Sequence, residues 1–396
     1  MSEWKKVTLD KMGVVSRGKS KHRPRNDARL FGGKYPFIQT GDIGSAGLYV
    51  LDYSQTYNEE GLAQSKLWAK DTLCITIAAN IADTALLAFP ACFPDSIIGF
   101  VPYENVSNVK FVKYCFDILK KDCQQISQGT AQDNLSWKKL STILFPCPPI
   151  EIQNQIVDIL SRYDSLIENY QKQIKLLEEA AQRLYKEWFV DLRFPGYEHT
   201  KVVDGVPEGW EKKKINTFVN LQSGYAFKSS TFEEDGIYKI VTIKNVKDGV
   251  FDGGNTSLIR QIPEKMPKHC RLKTGDILLS LTGNVGRICM VVGDDYLLNQ
   301  RVAKLEARYP AFTYCLFRNN DMFISVNNLA NGAAQQNVSP IKIGELNVLF
   351  ANDSIMNQFE NHVGTIRNKI INLHAQIRLL TEARDRLLPR LMRGGR

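Results

Sequence analysis

The sequence predicts a mixed α/β (α+β) protein: two similar globular domains separated by two long helices packed as an antiparallel coiled coil, with a pseudo-two-fold internal repeat. The first observation behind this prediction is the repeat itself. Gly129–Ser136 recurs as Gly332–Ser339, 203 residues later, and the same shift places Tyr35–Ile43 over Tyr238–Val246. One shift thus registers segments that are about a hundred residues apart, which indicates a duplicated unit.

The second observation is that each copy runs into a long helical pattern. Apolar residues alternate spacings of four and three from Ile156 to Trp188, and again from Phe359 to Leu391, where only Arg384 breaks the series. A sustained period of 3.5 residues is typical of a coiled-coil seam. The predicted seam residues are Ile156, Leu160, Tyr163, Ile167, Ile174, Leu177, Phe359, Val363, Ile366, Ile370, Leu373 and Ile377.

The two helical segments can satisfy each other as partners. We expect them to pack within the chain, and the repeat favours an antiparallel pair because a two-fold axis can then relate the two copies. A coiled coil between two chains is the alternative that the pattern leaves open.

Breaker residues place the domain boundaries. Cys147–Pro149 and Arg193–Gly196 flank the first helix, and Asn352–Ser354 is a capping signal for the second. The predicted organisation is a first globular domain over 1–149, a first spacer helix over 150–192, a linker and second globular domain over 193–350, and a second spacer helix with a tail over 351–396.

Short elements inside the two domains also align. Leu73–Ile77 and Asp276–Leu281 are predicted strands, and Asn80 then falls on Asn284. Two helices are predicted as well, over Phe111–Lys121 and Ala311–Asn319.

Composition narrows the class of protein. The 396 residues carry 51 Lys and Arg against 42 Asp and Glu, a net charge of +9 that favours an anionic partner such as nucleic acid. The eight cysteines form no C-x-x-C pair, and with five histidines a metal site is not expected. Without a signal peptide or an apolar run long enough to span a membrane, we expect a soluble, cytoplasmic protein with no membrane association.

One nucleotide-binding motif occurs, in a context that argues against it. Gly13–Ser20 matches the G-x-x-x-x-G-K-[ST] pattern of a phosphate-binding loop. Such a loop follows a buried strand and opens a helix, whereas here Lys21–Arg25 follows, which is no helical sequence. An NTP-using enzyme therefore stays only as an alternative. With no other catalytic signature present, we expect a non-catalytic chain.

Four motifs resemble those of one known family. Ser223–Ser230 is similar to the opening loop of its recognition domains, and Gly129–Ser136 and Gly332–Ser339 to the segments that lead into its helices. Leu184–Asp191 with Phe194-Pro195, and Leu387–Met392, resemble the ends of its two helices. The whole chain resembles the specificity subunit of type I restriction–modification enzymes. The first domain of this chain departs from the family's pattern, because its early loop lacks Gly-Tyr-Ala-Phe.

The resemblance implies a DNA-binding function for a chain without cofactors. Each globular domain would be a target recognition domain that reads one half of a bipartite, asymmetric site in double-stranded DNA. The paired helices would set the spacer between the halves and dock two methyltransferase subunits. Those partners would methylate adenine with S-adenosylmethionine, and two restriction (motor-nuclease) subunits that use ATP can join them.

The DNA contacts are predicted from residue chemistry. Arg17–Asn26 and Gln222–Ser230 are polar loops that align across the repeat, and Lys and Arg bind phosphates while Arg, Asn and Gln bind base edges. The expected phosphate contacts are Lys19, Lys21, Arg23, Arg25, Lys228, Lys244 and Arg301, and the expected base contacts are Arg17, Gln39, Tyr225 and Asn284. A scaffold that recruits partners without reading DNA is the other alternative.

Overall fold

The long helices are shared between two compact units, which are described separately. A computed structural model describes residues 4–78, 81–127, 135, 137–254, 256–330 and 337–393. Unit 1 comprises Met1–Asn169 and Leu379–Arg396, and unit 2 comprises Tyr170–Arg378.

Unit 1 is built on a five-stranded sheet. Its strands are β1 (Lys6–Thr8), β2 (Gly13–Arg17), β3 (Phe31–Phe37), β4 (Tyr49–Val50), β5 (Gln55–Tyr57), β6 (Leu73–Thr76), β7 (Thr84–Leu87), β8 (Ile97–Pro102) and β9 (Leu144–Pro146). Its helices are α1 (Thr40–Ser45), α2 (Glu59–Ala63), α3 (Val109–Ser127) and α4 (Trp137–Leu140), followed by the start of α5 (Ile150–Tyr185). The main sheet has the order β2-β8-β6-β7-β4, with β3 and β5 paired beside it and β1 paired with β9.

Unit 2 contains a four-stranded and a three-stranded sheet. Its strands are β10 (Val202–Val203), β11 (Val206–Pro207), β12 (Glu211–Lys214), β13 (Val219–Ser223), β14 (Tyr238–Val241), β15 (Ser257–Ile259), β16 (Ile277–Ser280), β17 (Ile288–Met290), β18 (Tyr296–Leu298), β19 (Val302–Ala307) and β20 (Asn347–Phe350). Its helices are α6 (Pro310–Arg318), α7 (Asn320–Ala330) and α8 (Pro340–Gly344), followed by α9 (Asp353–Leu391). The sheet orders are β13-β19-β16-β17 and β15-β14-β18, with pairs β12-β20 and β10-β11.

The strands and helices predicted inside the domains are confirmed. β6 and β16 cover the two predicted strands, and their residues are buried throughout. α3 and α6 cover the two predicted helices. Most of the duplicated segments Gly129–Ser136 and Gly332–Ser339, as well as Asn80, lie outside the described residues.

The two long helices pair antiparallel within each unit, as predicted. In unit 2, Trp188 of the first helix contacts Phe359 at the start of α9, with ring centroids 5.6 Å apart. Earlier in the first helix, Ala181 lines one small cavity together with Ile370, further along α9. In unit 1 the first half of α5 packs into one apolar cluster with Leu388 and Met392, near the end of α9.

The helix ends follow the breaker residues. α5 begins directly after Pro149 and passes into one turn of π-helix at Lys186–Val190. α9 begins at Asp353, inside the predicted capping segment, because Asn352 accepts a hydrogen bond from the N–H of Ile355 at 3.1 Å.

The structure places none of the predicted seam residues in an exposed position. Tyr163, Leu177, Ile366 and Ile377 are half-buried, and the other predicted seam residues are buried. Arg384, which interrupts the apolar series, pairs with Asp164 at 2.7 Å. All eight cysteines are free, and only Cys147 is not fully buried. None of the helices in the described ranges combines the length and apolar content needed to cross a bilayer.

Candidate nucleic-acid interface

In unit 1, the polar loop that follows β2 lies against a turn of the main sheet. Arg17 is the last residue of β2 and is exposed. The N–H of Gly18 donates to Ile97 O at 2.8 Å, and that of Lys19 to Phe93 O at 3.0 Å. A side chain at Gly18 would lie 2.2 Å from Pro94 O, so only glycine permits this close approach.

The same loop is fixed by side chains from the turn after α2. The Oε1 atom of Gln64 accepts hydrogen bonds from the N–H groups of Lys21, at 2.6 Å, and His22, at 3.0 Å. The Ser65 hydroxyl donates to Lys19 O at 2.7 Å. The Arg23 guanidinium donates to carbonyls within its own loop. The conformation of the loop is therefore defined before any ligand binds.

Its cations fall into two groups. Arg25 pairs with Asp95 at 2.5 Å, and Arg23 lies 3.8 Å from the same carboxylate. Arg17, Lys19 and Lys21 make no ion pair with any part of the chain that the structure describes. These three keep their full charge for an anionic ligand, whereas Asp95 partly neutralises the other two.

An acidic residue closes the loop. Asp27 accepts hydrogen bonds from the side chain and backbone N–H of Arg29 and from His22. These donors, Arg29 first, hold the pKa of Asp27 well below its usual range.

Gln39 lies on a second element beside the same turn. The N–H of Ile38 donates to Cys92 O at 2.8 Å, which places the end of β3 next to the Cys92–Ile97 segment. Gln39 is exposed, and its side-chain amide donates to Gln55 Oε1 at 2.6 Å. Its own N–H is bound by Asp42 at 2.7 Å.

Unit 2 repeats this arrangement at the turn between β18 and β19. The N–H of Tyr225 donates to Leu298 O at 2.9 Å, and Leu281 donates to Arg301 O at 3.0 Å. A Cβ on Gly283 would lie 3.3 Å from Ile243, so the β16–β17 turn meets the turn that carries Lys244.

The structure therefore gathers four of the five unit 2 candidates. Tyr225, Lys244, Asn284 and Arg301 lie on adjoining turns at one edge, and all but the half-buried Tyr225 are exposed. Lys228 is exposed further along the loop, at the N-cap position of the short helical turn Ser229–Thr231. Lys228, Lys244 and Arg301 make no ion pair within the described ranges.

The turns that follow β6 and β16 contain matching hydrogen bonds. In unit 1, the N–H of Asp83 donates to the Thr76 hydroxyl at 3.0 Å. In unit 2, the N–H of Arg287 donates to the Ser280 hydroxyl at 3.0 Å. The residues at the matching bend, Ala82 and Gly286, both have positive φ. The described residues of the two turns therefore make matching hydrogen bonds.

A family comparison agrees with this duplicated architecture. The model of the type I restriction modification DNA specificity domain matches residues 1–179 and 207–350. The chain belongs to this family. It is therefore a DNA-recognition subunit and not an enzyme.

Curated relatives span the whole chain. The MjaIX type I restriction enzyme specificity subunit of Methanocaldococcus jannaschii is 24% identical and covers 99% of this chain and 93% of its own length. The HindI specificity subunit of Haemophilus influenzae is 22% identical over 100% of both chains. The crystal structure of the type I restriction-modification S subunit from M. genitalium has the same fold, with a TM-score of 0.60 and 17% identity over 98% of this chain and 96% of its own.

The geometry of Gly13–Ser20 does not fit the phosphate-binding loop that its sequence matches. Gly13–Arg17 is an edge strand, and Lys19–Asp27 contains turns but no helix. The backbone N–H groups of Gly18, Lys19, Lys21 and His22 are all bound by the protein itself. They do not form the open cradle that a nucleotide phosphate requires. The described residues also contain no group of His, Cys, Asp or Glu placed to hold a metal ion.

Residue types alone did not identify the supports of the loops. Gln64, Ser65 and Asp95 hold the unit 1 loop from 42 to 70 residues away. Contacts between a side chain and a distant backbone leave no periodic pattern in a sequence. The only available signal was the alignment of the two copies, which places Gln64 close to His269, a residue that binds the matching loop in unit 2.

Proposed function

We propose that this specificity subunit reads a bipartite, asymmetric DNA site, one half with each unit, and directs adenine methylation by partner subunits. The observation that carries the proposal is the repeated edge. In both units the glycine that follows the edge strand, Gly18 or Gly224, donates its N–H to a neighbouring part of the sheet, and the exposed side chains of the loop that follows differ. Two similar scaffolds with different surfaces suit two different half-sites.

Charge supports DNA as the ligand at both edges. Arg17, Lys19 and Lys21 in unit 1, and Lys228, Lys244 and Arg301 in unit 2, are cations without ion pairs in the described part of the chain. Unpaired cations at one edge attract phosphates and release counterions. Tyr225, Asn284 and Gln39 add groups that can stack on bases or bind their edges.

The partners follow from the chemistry that the chain lacks. We propose that two methyltransferase subunits bind S-adenosylmethionine and supply the reaction, and that two restriction subunits that use ATP can join them. Adenine has to leave the base stack to be methylated, which is work for the partner's active site. Cellular DNA would be the target, so we place the assembly in the cytoplasm.

The test is a map of N6-methyladenine in the source organism with and without this gene. We expect one split motif to lose methylation when the gene is removed, and the motif would give both half-sites and the spacer. An unchanged map, together with no preferred site in a selection from random duplexes, would favour a scaffold instead.

Variants can separate the roles of the candidate residues. Lys21→Ala should weaken binding to all duplexes about equally and lower the salt dependence, as expected for a phosphate contact. Arg17→Ala should relax one half-site and leave the other unchanged. If both variants acted uniformly on all sequences, Arg17 would not be a base contact.

A further inference from the structure

We propose that Gln64 is a positioning residue for DNA recognition, which holds the unit 1 loop of residues 18–27 in the conformation that reads its half-site. The inference rests on the proposed function, because it assigns the support of the same recognition edge. Gln64 itself does not have to touch DNA.

The geometry of Gln64 is that of a clamp on the backbone. Its Oε1 accepts from two consecutive N–H groups, those of Lys21 and His22, at 2.6 and 3.0 Å. Two donors that converge on one oxygen fix the direction of the chain at that point. The neighbouring Ser65, itself buried, binds Lys19 O from the same turn. Gln64 and Ser65 thus bind three backbone groups of the loop: the carbonyl of Lys19 and the N–H groups of Lys21 and His22.

Arg23 and the His22–Asp27 pair tie the loop to itself, but the N–H groups of Lys21 and His22 bind Gln64. Lys19, at the loop's start, and the exposed Lys21 lack ion pairs in the described ranges, and neither adds an internal tie. Without the Gln64 oxygen, two adjacent N–H groups would bind water, and the loop would sample several conformations. Ordering it upon DNA binding would then reduce the discrimination between bases, because part of the binding energy would be spent on that ordering.

Unit 2 has a support of the same kind. The Nε2 of His269 donates to Ser223 O at 2.8 Å, where the second recognition loop leaves β13. With the 203-residue shift, Gln64 falls on Pro267, two residues before His269. Both supports lie ahead of the matching strands, β6 and β16. Both copies therefore have a side-chain support ahead of this strand, but its exact position, its chemistry and the loop atom that it binds differ.

Methylation mapping can test this role, because the two half-sites serve as internal controls. The full chain is expressed with its methyltransferase partner, as wild type, Gln64→Met, Gln64→Glu and Tyr225→Ala. Met keeps the length of the side chain and removes the acceptor, whereas Glu keeps an acceptor oxygen. Tyr225→Ala identifies the half-site that unit 2 reads.

We expect Gln64→Met to relax the half-site that Tyr225→Ala leaves intact, with a loss of discrimination of about tenfold, comparable to losing one base readout. Gln64→Glu should retain the wild-type motif. The salt dependence of binding to non-specific DNA should be unchanged in Gln64→Met and Tyr225→Ala, because neither variant changes the charge or removes a phosphate contact.

Opposite outcomes are distinct. A wild-type chain that yields no split motif would overturn the proposed function itself. A split motif that Gln64→Met leaves unchanged, or relaxes in both halves together, would overturn only the positioning role. If Gln64→Met abolished methylation everywhere, Ser65→Ala would decide: relaxation of the same half supports the role, and a uniform loss overturns it.

Discussion

The described residues of the β6–β7 turn of unit 1 and the β16–β17 turn of unit 2 make matching hydrogen bonds, but the two turns are supported by different interactions. In unit 1, Lys120 of α3 forms an ion pair with Asp83 at 2.5 Å. In unit 2 the residue shifted by 203 is Phe323, which lies 3.1 Å from a Cβ built on Gly286. An ion pair therefore supports the turn in unit 1, and an apolar contact supports the matching turn in unit 2.

One interaction is the same in both turns: a side-chain amide donates a hydrogen bond to a backbone carbonyl of the turn. The amide of Gln124 donates to Ile81 O at 3.4 Å, and that of Asn327, 203 residues later, donates to Val285 O at 3.1 Å. Hydrogen bonds to the backbone define where a turn lies, and this leaves the surrounding side chains free to diverge. The duplication therefore conserved the frame of the recognition edge more strictly than its surface.

A second comparison concerns the carboxylates that α5 contributes to each unit. Asp164, 5% exposed, accepts from Tyr114 OH at 2.5 Å and from Arg384 at 2.7 Å. Glu178 accepts from Tyr314 OH at 3.0 Å and from Arg318 at 3.2 Å. Each arginine also has a further, exposed partner: Asp385 for Arg384 and Asp248 for Arg318.

The largest expected effect is the loss of Asp164. Asp164→Ala leaves a buried phenol and a partly buried guanidinium without their shared acceptor, which should lower the free energy of unfolding by about 3–5 kcal/mol. Glu178→Ala should cost about 2 kcal/mol, because the Glu178 side chain is 17% exposed against 5% for Asp164, so water can partly replace it. Urea denaturation of the purified chain measures both, with Asp164→Asn as the control that retains an acceptor. Equal losses in the two units would contradict the comparison.

Next in size is the loss of a buried amide that holds the start of α3. Gln153, 0% exposed, accepts from Asn108 N–H at 2.9 Å and donates to Val106 O and Pro148 O. Gln153→Ala should cost about 3 kcal/mol because three backbone groups lose their partner, of which the Pro148 carbonyl is buried and the other two are partly buried. Gln153→Glu keeps the acceptor and removes the donors, so an intermediate loss is expected. Thermal unfolding would show the ranking, and a melting temperature unchanged by Gln153→Ala would refute it.

The two turn supports should differ by a smaller amount. Phe323→Ala removes an apolar contact that is 40% exposed and should cost about 1 kcal/mol. Lys120→Ala removes an ion pair whose lysine is 43% exposed, which is worth less, about 0.5 kcal/mol. Hydrogen exchange at the amides of Gly286 and Ala82 reports each turn separately. A larger effect in unit 1 than in unit 2 would reverse our interpretation.

The smallest effect concerns charge at the start of α6. Ala311 corresponds to Asn108 across the repeat, and its N–H is bound by Glu360 at 2.8 Å. Burial raises the pKa of Glu360, against the opposing effect of its hydrogen bonds from Ala311 and Phe312. A raised carboxyl pKa favours folding below the unfolded value, and this contribution is lost as pH rises through the folded pKa.

Glu360→Gln keeps the acceptor oxygen and removes this titration. We expect the variant to gain stability relative to wild type as pH rises from 4 to 7, because only the wild type loses the contribution of the raised carboxyl pKa. Denaturation midpoints at the two pH values provide the measurement. A variant that loses stability relative to wild type as pH rises would show that the ionised carboxylate is favoured at this site.

The sequence alone predicted the features that depend on periodicity and repetition. The coiled-coil helices, the strands β6 and β16, and the helices α3 and α6 follow from apolar spacing that local packing enforces. The supports of the recognition loops, such as Gln64, depend on contacts between distant segments and could not be predicted. Arg384 is an intermediate case: a lone charge in an apolar seam signals a buried partner, but the pattern does not say that this partner is Asp164.

Unit 1 combines the first part of the chain with its last residues, and this constrains the order in which the two units can fold during translation. Its apolar cluster joins Ile156 and Leu160 to Leu388 and Met392. Leu388 and Met392 are translated only after every strand of unit 2. The part of the protein that is translated first is therefore the part that must wait longest to close its core.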